Sequence, residues 1–176
     1  MFREPSSGWK CSECAFELWI PVAESRSTRV GIYNDARFPG RCIVALRHHY
    51  DQLEEVPLEE IDNFMRDVLV ASASIKETTG AARVNVSILG NRDPHVHAHL
   101  IPRYPEREEY PNDAPWRDPR ENAKLSVGDV EKLRFALSLR MTSAKYRRNR
   151  GPFWPEGKTV PYPRLFTERD LRFATD

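Results

Sequence analysis

The chain has 176 residues, 40% hydrophobic and 30% charged, which is enough for one domain with an appendage but not for two full-sized domains. Twenty-seven basic against twenty-six acidic residues leave a net charge of +1, which argues against a strongly basic nucleic-acid binder. No apolar run approaches the roughly 20 residues that span a bilayer, and the N-terminal MFREPSSGWKC has no apolar signal core, so the chain is expected to be cytoplasmic with no membrane partner.

Strands are predicted over 16–22 and 28–33, separated by turn-prone polar residues. Cys42–Leu46 follows the Phe38-Pro39-Gly40 turn and is a continuous apolar run of buried-strand length. Cys42 itself reads as a buried core thiol. A helix is predicted over 57–79. Pro57 and the acids Glu59, Glu60 and Asp62 suit its start, Gly80 suits its stop, and Ile61, Phe64, Val68 and Ala71 keep helical spacing. Residues 82–89 alternate, with Val84, Val86 and Ile88 on one face and Asn85 and Ser87 on the other. A turn over 90–94 leads into a strand predicted over 95–103. A second helix is predicted from 126 to about 141, with Ser126 and Asp129 as a capping pair. A helix crossing within an otherwise antiparallel sheet makes this an α+β domain.

The charge is uneven. Residues 140–176 hold nine Lys/Arg against four acids, a local +5, so the remainder of the chain sums to −4. This segment also carries Pro152, Pro155, Pro161 and Pro163, which forbid long regular elements. The expected organisation is a domain over 1–140 and a basic, proline-rich extension over 141–176 packed on or near it. The run Tyr146, Arg147, Arg148, Arg150, Phe153 and Trp154 reads either as a solvated or packed arm or as a substrate contact.

Three of the five histidines are His95, His97 and His99, every second residue. In a strand that spacing aligns all three imidazoles on one face and gives Val96, Ala98 and Leu100 to the core. Clustered imidazoles serve as bases, nucleophiles or metal ligands. The run His95-Val96-His97-Ala98-His99-Leu100-Ile101-Pro102-Arg103 resembles the signature of the histidine triad superfamily of nucleotide hydrolases and nucleotidyl transferases. The resemblance extends upstream through Cys11-Ser12-Glu13-Cys14, Asn34-Asp35, Pro39-Gly40, the strand at Cys42 and the Asn85 strand.

That resemblance implies a fold with a five-stranded antiparallel sheet and two helices, commonly a homodimer. It also implies cleavage at the α-phosphorus of a nucleotide through a covalent nucleotidyl-histidine. His97 would be the nucleophile, His99 would hydrogen-bond phosphate or leaving group, and Asn91 would help cradle the phosphate. Asp35 or Asn34 would grip ribose hydroxyls, and Asn85 and Arg103 would complete the nucleotide site. Phe16, Ile32, Tyr33 and Phe38 could wall a base or belong to the core, and Trp116 could close over the site. Water as acceptor makes a hydrolase. Phosphate or a sugar phosphate would make a phosphorylase or transferase, and a protein that binds nucleotides without turnover is a further alternative.

In the zinc-carrying branch of the superfamily the resemblance implies a structural Zn²⁺ on Cys11, Cys14, His95 and either His49 or the adjacent His48, with His49 aligning better. This gives His95 to metal rather than to catalysis. No organic cofactor is implied. The chain departs from the pattern at Arg41, where many members have a histidine that supports the triad.

Overall fold

The computed structural model describes residues 1–5, 8–18 and 20–143. The main sheet is built from β3 (Pro21–Glu24), β4 (Thr28–Ile32), β5 (Cys42–Leu46), β6 (Arg83–Ile88) and β7 (His97–Arg103), ordered β3-β4-β5-β7-β6 and antiparallel throughout. Helix α1 (Leu58–Thr79) carries the chain from β5 past the place β7 will take, so β6 forms the edge and β7 is inserted between them. Helix α2 (Val127–Thr142) packs beside α1 and against β3. A separate two-stranded ribbon, β1 (Trp9–Lys10) and β2 (Glu17–Leu18), covers the other face of the sheet.

The α+β architecture of five strands and two helices is as the sequence predicts. Helix α1 ends at Gly80, whose φ of 71° is the left-handed conformation that favours glycine, and its N–H donates to Lys76 O at 3.0 Å. Of the predicted stripe, Phe64, Val68 and Ala71 are buried and Ile61 is half-buried; Ile75 continues it, and together they pack against Val44, Leu46, Ala98 and Leu100 of the sheet. At the start of α2, Ser126 Oγ accepts from Asp129 N–H at 3.1 Å.

Two predicted strands differ from the structure. The run over 16–22 divides: Glu17–Leu18 pairs with Trp9–Lys10 in the ribbon, and Pro21–Glu24 joins the sheet edge. Pro21 has no N–H for a central ladder, and edge placement with a register irregularity between Pro21 and Ala23 accommodates it. The strand predicted from 95 begins instead at His97. Just before it Val96 N–H donates to Tyr50 O at 2.9 Å and Val96 O accepts from Leu46 N–H at 3.1 Å, so His95 stands at the mouth of the strand and its ring is used elsewhere. The extension predicted from 141 lies outside the described residues, apart from the last turn of α2.

Candidate active site and metal centre

Alternation along β7 sends Ala98 and Leu100 to the helices and His97 and His99 to the opposite face. Their partners there on β5 are Ala45 and Ile43. His97 is 3% exposed, and His99 is half-buried. His97 Nδ1 lies 2.6 Å from His95 O. A carbonyl only accepts, so Nδ1 carries the hydrogen and the lone pair of the neutral ring sits on Nε2. That Nε2 is 3.1 Å from His99 Nε2. One of the two must donate, so His99 is assigned the Nε2–H tautomer, which leaves its Nδ1 buried as an acceptor without a partner. Burial lowers the His97 pKa, and burial, His97 and the Arg41 charge push His99 down to about 4. Both rings are neutral at neutral pH. Phe16 lies against both sides of this arrangement, stacked on His95 at 5.0 Å between centroids and tilted on His97 at 4.7 Å.

The ribbon and the loop after β5 bring a second cluster together. Cys11 Sγ, Cys14 Sγ and the ring nitrogens of His49 and His95 all lie within 4.8 Å of one another. His49 Nδ1 is 3.4 Å from His95 Nδ1, Cys14 Sγ is 3.5 Å from His95 Nδ1, and Cys11 Sγ is 3.7 Å from His49 Nδ1. A tetrahedron with Zn–N of about 2.0 Å and Zn–S of about 2.3 Å has N···N edges of about 3.3 Å and S···N edges of about 3.5 Å. The observed spacings fit. The other nitrogens are anchored: His49 Nε2 faces Asp51 Oδ1 at 2.8 Å, and His95 Nε2 faces Leu46 O at 2.9 Å. Each Nε2 therefore bears the hydrogen, and two Nδ1 lone pairs converge, as a cation between them would require. His48 is excluded from this set: its Nδ1 faces Glu60 Oε1 at 3.0 Å on the exposed surface. Cys42 is fully buried and its thiol is pushed up to about 12 by desolvation, in keeping with an inert core residue.

Most of the remaining candidates have structural partners. Asn91 is exposed in the turn before β7, where Asp93 is the charge felt by His97. Asn34 Oδ1 accepts from Leu125 N–H at 2.9 Å. Asp35 is buried beneath two arginines: Oδ1 accepts from Arg37 N and Nε, and Oδ2 from Arg37 Nη2 at 2.9 Å and Arg41 Nη1 at 3.0 Å. Asn85 Oδ1 accepts from Arg103 Nη1 at 2.8 Å, and Arg103 spends its other donors on Glu108 and on the carbonyls of Pro111 and Asp113. Of the possible base walls, Ile32 and Phe38 are core residues, and Tyr33 is 37% exposed beside His99. Trp116 is 66% exposed. A cavity of about 470 Å³, lined by residues including Ile20, Asn34, Leu125 and Val130, lies on the α2 side of the sheet and not at the histidines. Asp51, two residues after His49, was legible as a second partner for that ring but was missed, as was Lys124, whose place beside Tyr33 no local pattern signals.

Residues 22–106 match the model of the HIT domain. This region is a histidine triad domain. Cys11, Cys14 and α2 lie outside the matched residues. An uncharacterised HIT-like protein of Methanocaldococcus jannaschii is 31% identical over 72 residues, 39% of this chain and 56% of that protein, so the match spans little more than half of the relative's length. A hypothetical histidine triad nucleotide-binding protein from Sulfolobus tokodaii is 16% identical with a TM-score of 0.56, covering 77% of this chain and 91% of that one. A zinc-bound histidine triad family protein from Mycobacterium smegmatis is 17% identical with a TM-score of 0.52, covering 67% and 83%. These structural likenesses establish the fold. Among the described residues no helix is long and apolar enough to cross a membrane.

Proposed function

We propose that the chain is a nucleotide hydrolase that cleaves at the α-phosphorus and releases a nucleoside monophosphate. One observation carries the reading: the 2.6 Å bond from His97 Nδ1–H to His95 O, which leaves a buried, neutral Nε2 lone pair beside a neutral donor. An imidazole so held is a good nucleophile towards phosphorus and a good leaving group once bonded to it.

In the first step the Nε2 lone pair of His97 forms the P–N bond, and the bond from phosphorus to the leaving group breaks with its electron pair going to the leaving atom. The ring gains positive charge, which the His95 carbonyl dipole stabilises through Nδ1–H. His99 turns its Nε2–H from His97 to the leaving atom or a non-bridging oxygen. Water then attacks phosphorus from the vacated side, the P–N pair returns to Nε2, and a proton is released. Because His97 is nearly enclosed, substrate approaches from the half-buried His99 side.

We propose further that Cys11, Cys14, His49 and His95 hold a structural zinc ion. When bound, the ion supplies a fixed tetrahedral cross-link and no reacting group. Asp51 and Leu46 O orient its two imidazoles. The histidine triad neighbour from Mycobacterium smegmatis, described as zinc-bound, supports this reading.

The test is covalent trapping. Wild-type protein quenched during turnover should carry the mass of a nucleoside monophosphate on His97, and a folded His97→Ala variant should lose at least about 10³-fold in kcat. Substantial turnover by that variant would refute the assignment. Nucleoside diphosphate formed only when inorganic phosphate is present would identify phosphate as the acceptor.

A further inference from the structure

Arg41 precedes β5 on the same face as the histidines. Tyr33 N–H donates to Arg41 O at 2.9 Å, which extends the β4–β5 ladder by one rung, and alternation gives Tyr33 and Arg41 the face of Ile43 and His99. Ile43 is directly opposite His99, so Arg41, two residues earlier, is a diagonal neighbour of His99 and within reach of a long side chain. The guanidinium lies 4.0 Å over the Tyr33 ring, and Tyr33 meets His99 edge to face at 6.4 Å. Lys124 Nζ approaches the same ring at 6.0 Å. Lys124 is carried by a segment tied to this end of the sheet through Ala36 N–H to Ala123 O at 2.8 Å.

The charge here is not balanced locally. Asp35 is shared by Arg37, which holds both its oxygens, and Arg41, which holds one. One carboxylate between two guanidinium groups leaves a net positive charge, and Lys124 adds another. Arg41 Nε–H is also buried without an acceptor, an expensive state unless something binds there. Direction matters as well. The His97 lone pair points towards His99, so in-line displacement sends the leaving group to the His99 side, and Arg41 is the next cation beyond it.

We propose that Arg41, assisted by Lys124, binds a phosphate of the leaving group, so that the favoured substrates are nucleotides whose α-phosphorus is joined by an anhydride to further phosphate. This rests on the hydrolase reading but is tested apart from it. Inorganic pyrophosphate is titrated calorimetrically into wild-type protein, Arg41→Gln, Arg41→Lys and Lys124→Ala, with thermal melting to confirm folding. Loss of a charge-assisted contact should weaken pyrophosphate about 10- to 100-fold in Arg41→Gln. The loss should be smaller in Arg41→Lys and in Lys124→Ala, whose exposed side chain makes misfolding no concern. In turnover, the ratio of kcat/KM for a dinucleoside triphosphate to that for a nucleoside 5′-phosphoromorpholidate, whose leaving amine is uncharged, should fall at least tenfold in Arg41→Gln. No pyrophosphate binding by wild type, equal binding by wild type and Arg41→Gln, or an unchanged ratio would each overturn the proposal. If pyrophosphate binding depends on Arg41 while neither nucleotide is turned over, the anion site stands and the hydrolase reading falls.

Discussion

Arg103 tests whether a signature residue serves the substrate or the fold. Its side chain is 5% exposed and every N–H has an acceptor: Nε and Nη2 on Glu108, Nη1 on Asn85 Oδ1 at 2.8 Å and Asp113 O at 2.9 Å, and Nη2 on Pro111 O at 3.1 Å. Glu108 is as deeply placed, with Oε1 accepting from Tyr104 N–H at 2.6 Å. Arg103→Met would leave a carboxylate buried without its cation and three acceptors without their donor. Breaking a buried pair from one side costs about 3–5 kcal/mol, which for a domain of this size lowers Tm by roughly 10 °C. Arg103→Met with Glu108→Leu should recover part of the loss, because neither charge is then stranded. Urea unfolding and calorimetry read the stability, and KM for a nucleotide reads the site. A loss below about 1 kcal/mol together with a sharply raised KM would return Arg103 to the nucleotide and refute the structural argument.

Three further predictions rest on single side chains. Elemental analysis should find one zinc per chain in wild type and in His48→Ala, whose ring faces Glu60, but little in His49→Ala. Chelation should lower Tm as well as remove the metal, and full metal content in His49→Ala would sink the four-ligand assignment. For pH, burial raises the Asp35 carboxyl, but the hydrogen bonds and charges of Arg37 and Arg41 outweigh it and hold the group below its ordinary value of 3.8. Its stabilisation is therefore present above about pH 4 and lost as pH falls through the lower folded-state value, and Asp35→Asn should remove that acid limb from a plot of unfolding free energy against pH. Asp67, buried under the hydroxyls of Ser25 and Thr28, has its carboxyl raised chiefly by desolvation. It contributes in the opposite direction, so stability falls as pH rises above the ordinary carboxylate value, and a slope of the other sign in wild type that vanishes in Asp67→Asn would contradict this.

The periodic parts of the chain were legible in the sequence. Helix α1, β5 and the alternation of β6 follow from spacing that survives in the fold because each buries one continuous face. The ribbon was not legible: Trp9–Lys10 and Glu17–Leu18 are two residues each, and their pairing depends on the turn between the two cysteines and on Phe16 packing against imidazoles 79 and 81 residues away. Residue type also proved a poor guide to charged partners. Asp35 and Arg103 stand where the signature puts nucleotide contacts, yet both are buried in ion pairs within the protein, because an isolated charge at such depth would be prohibitive. The partners, Arg37 two residues on and Glu108 five residues on, are near in sequence, but proximity alone does not say which way a side chain turns.

The sequence pattern gives His95 to metal rather than to catalysis, and the structure shows that its different atoms face different partners. Its Nδ1 belongs to the Cys11–Cys14–His49 cluster, its Nε2 is held on Leu46 O, and its backbone carbonyl receives His97 Nδ1–H. The break in strand geometry before His97 permits this, because a residue within the ladder would offer its carbonyl to a neighbouring strand. The His97 tautomer depends on that carbonyl, so a shift of His95 as a whole would weaken the bond that keeps the lone pair on Nε2. A chain that lost the cluster would still bury β7 against α1, but His97 would be left on a loosened support. The cysteine ribbon lies outside the matched domain, yet it reaches His97 by two routes: through the His95 carbonyl, and through Phe16, which lies against both rings.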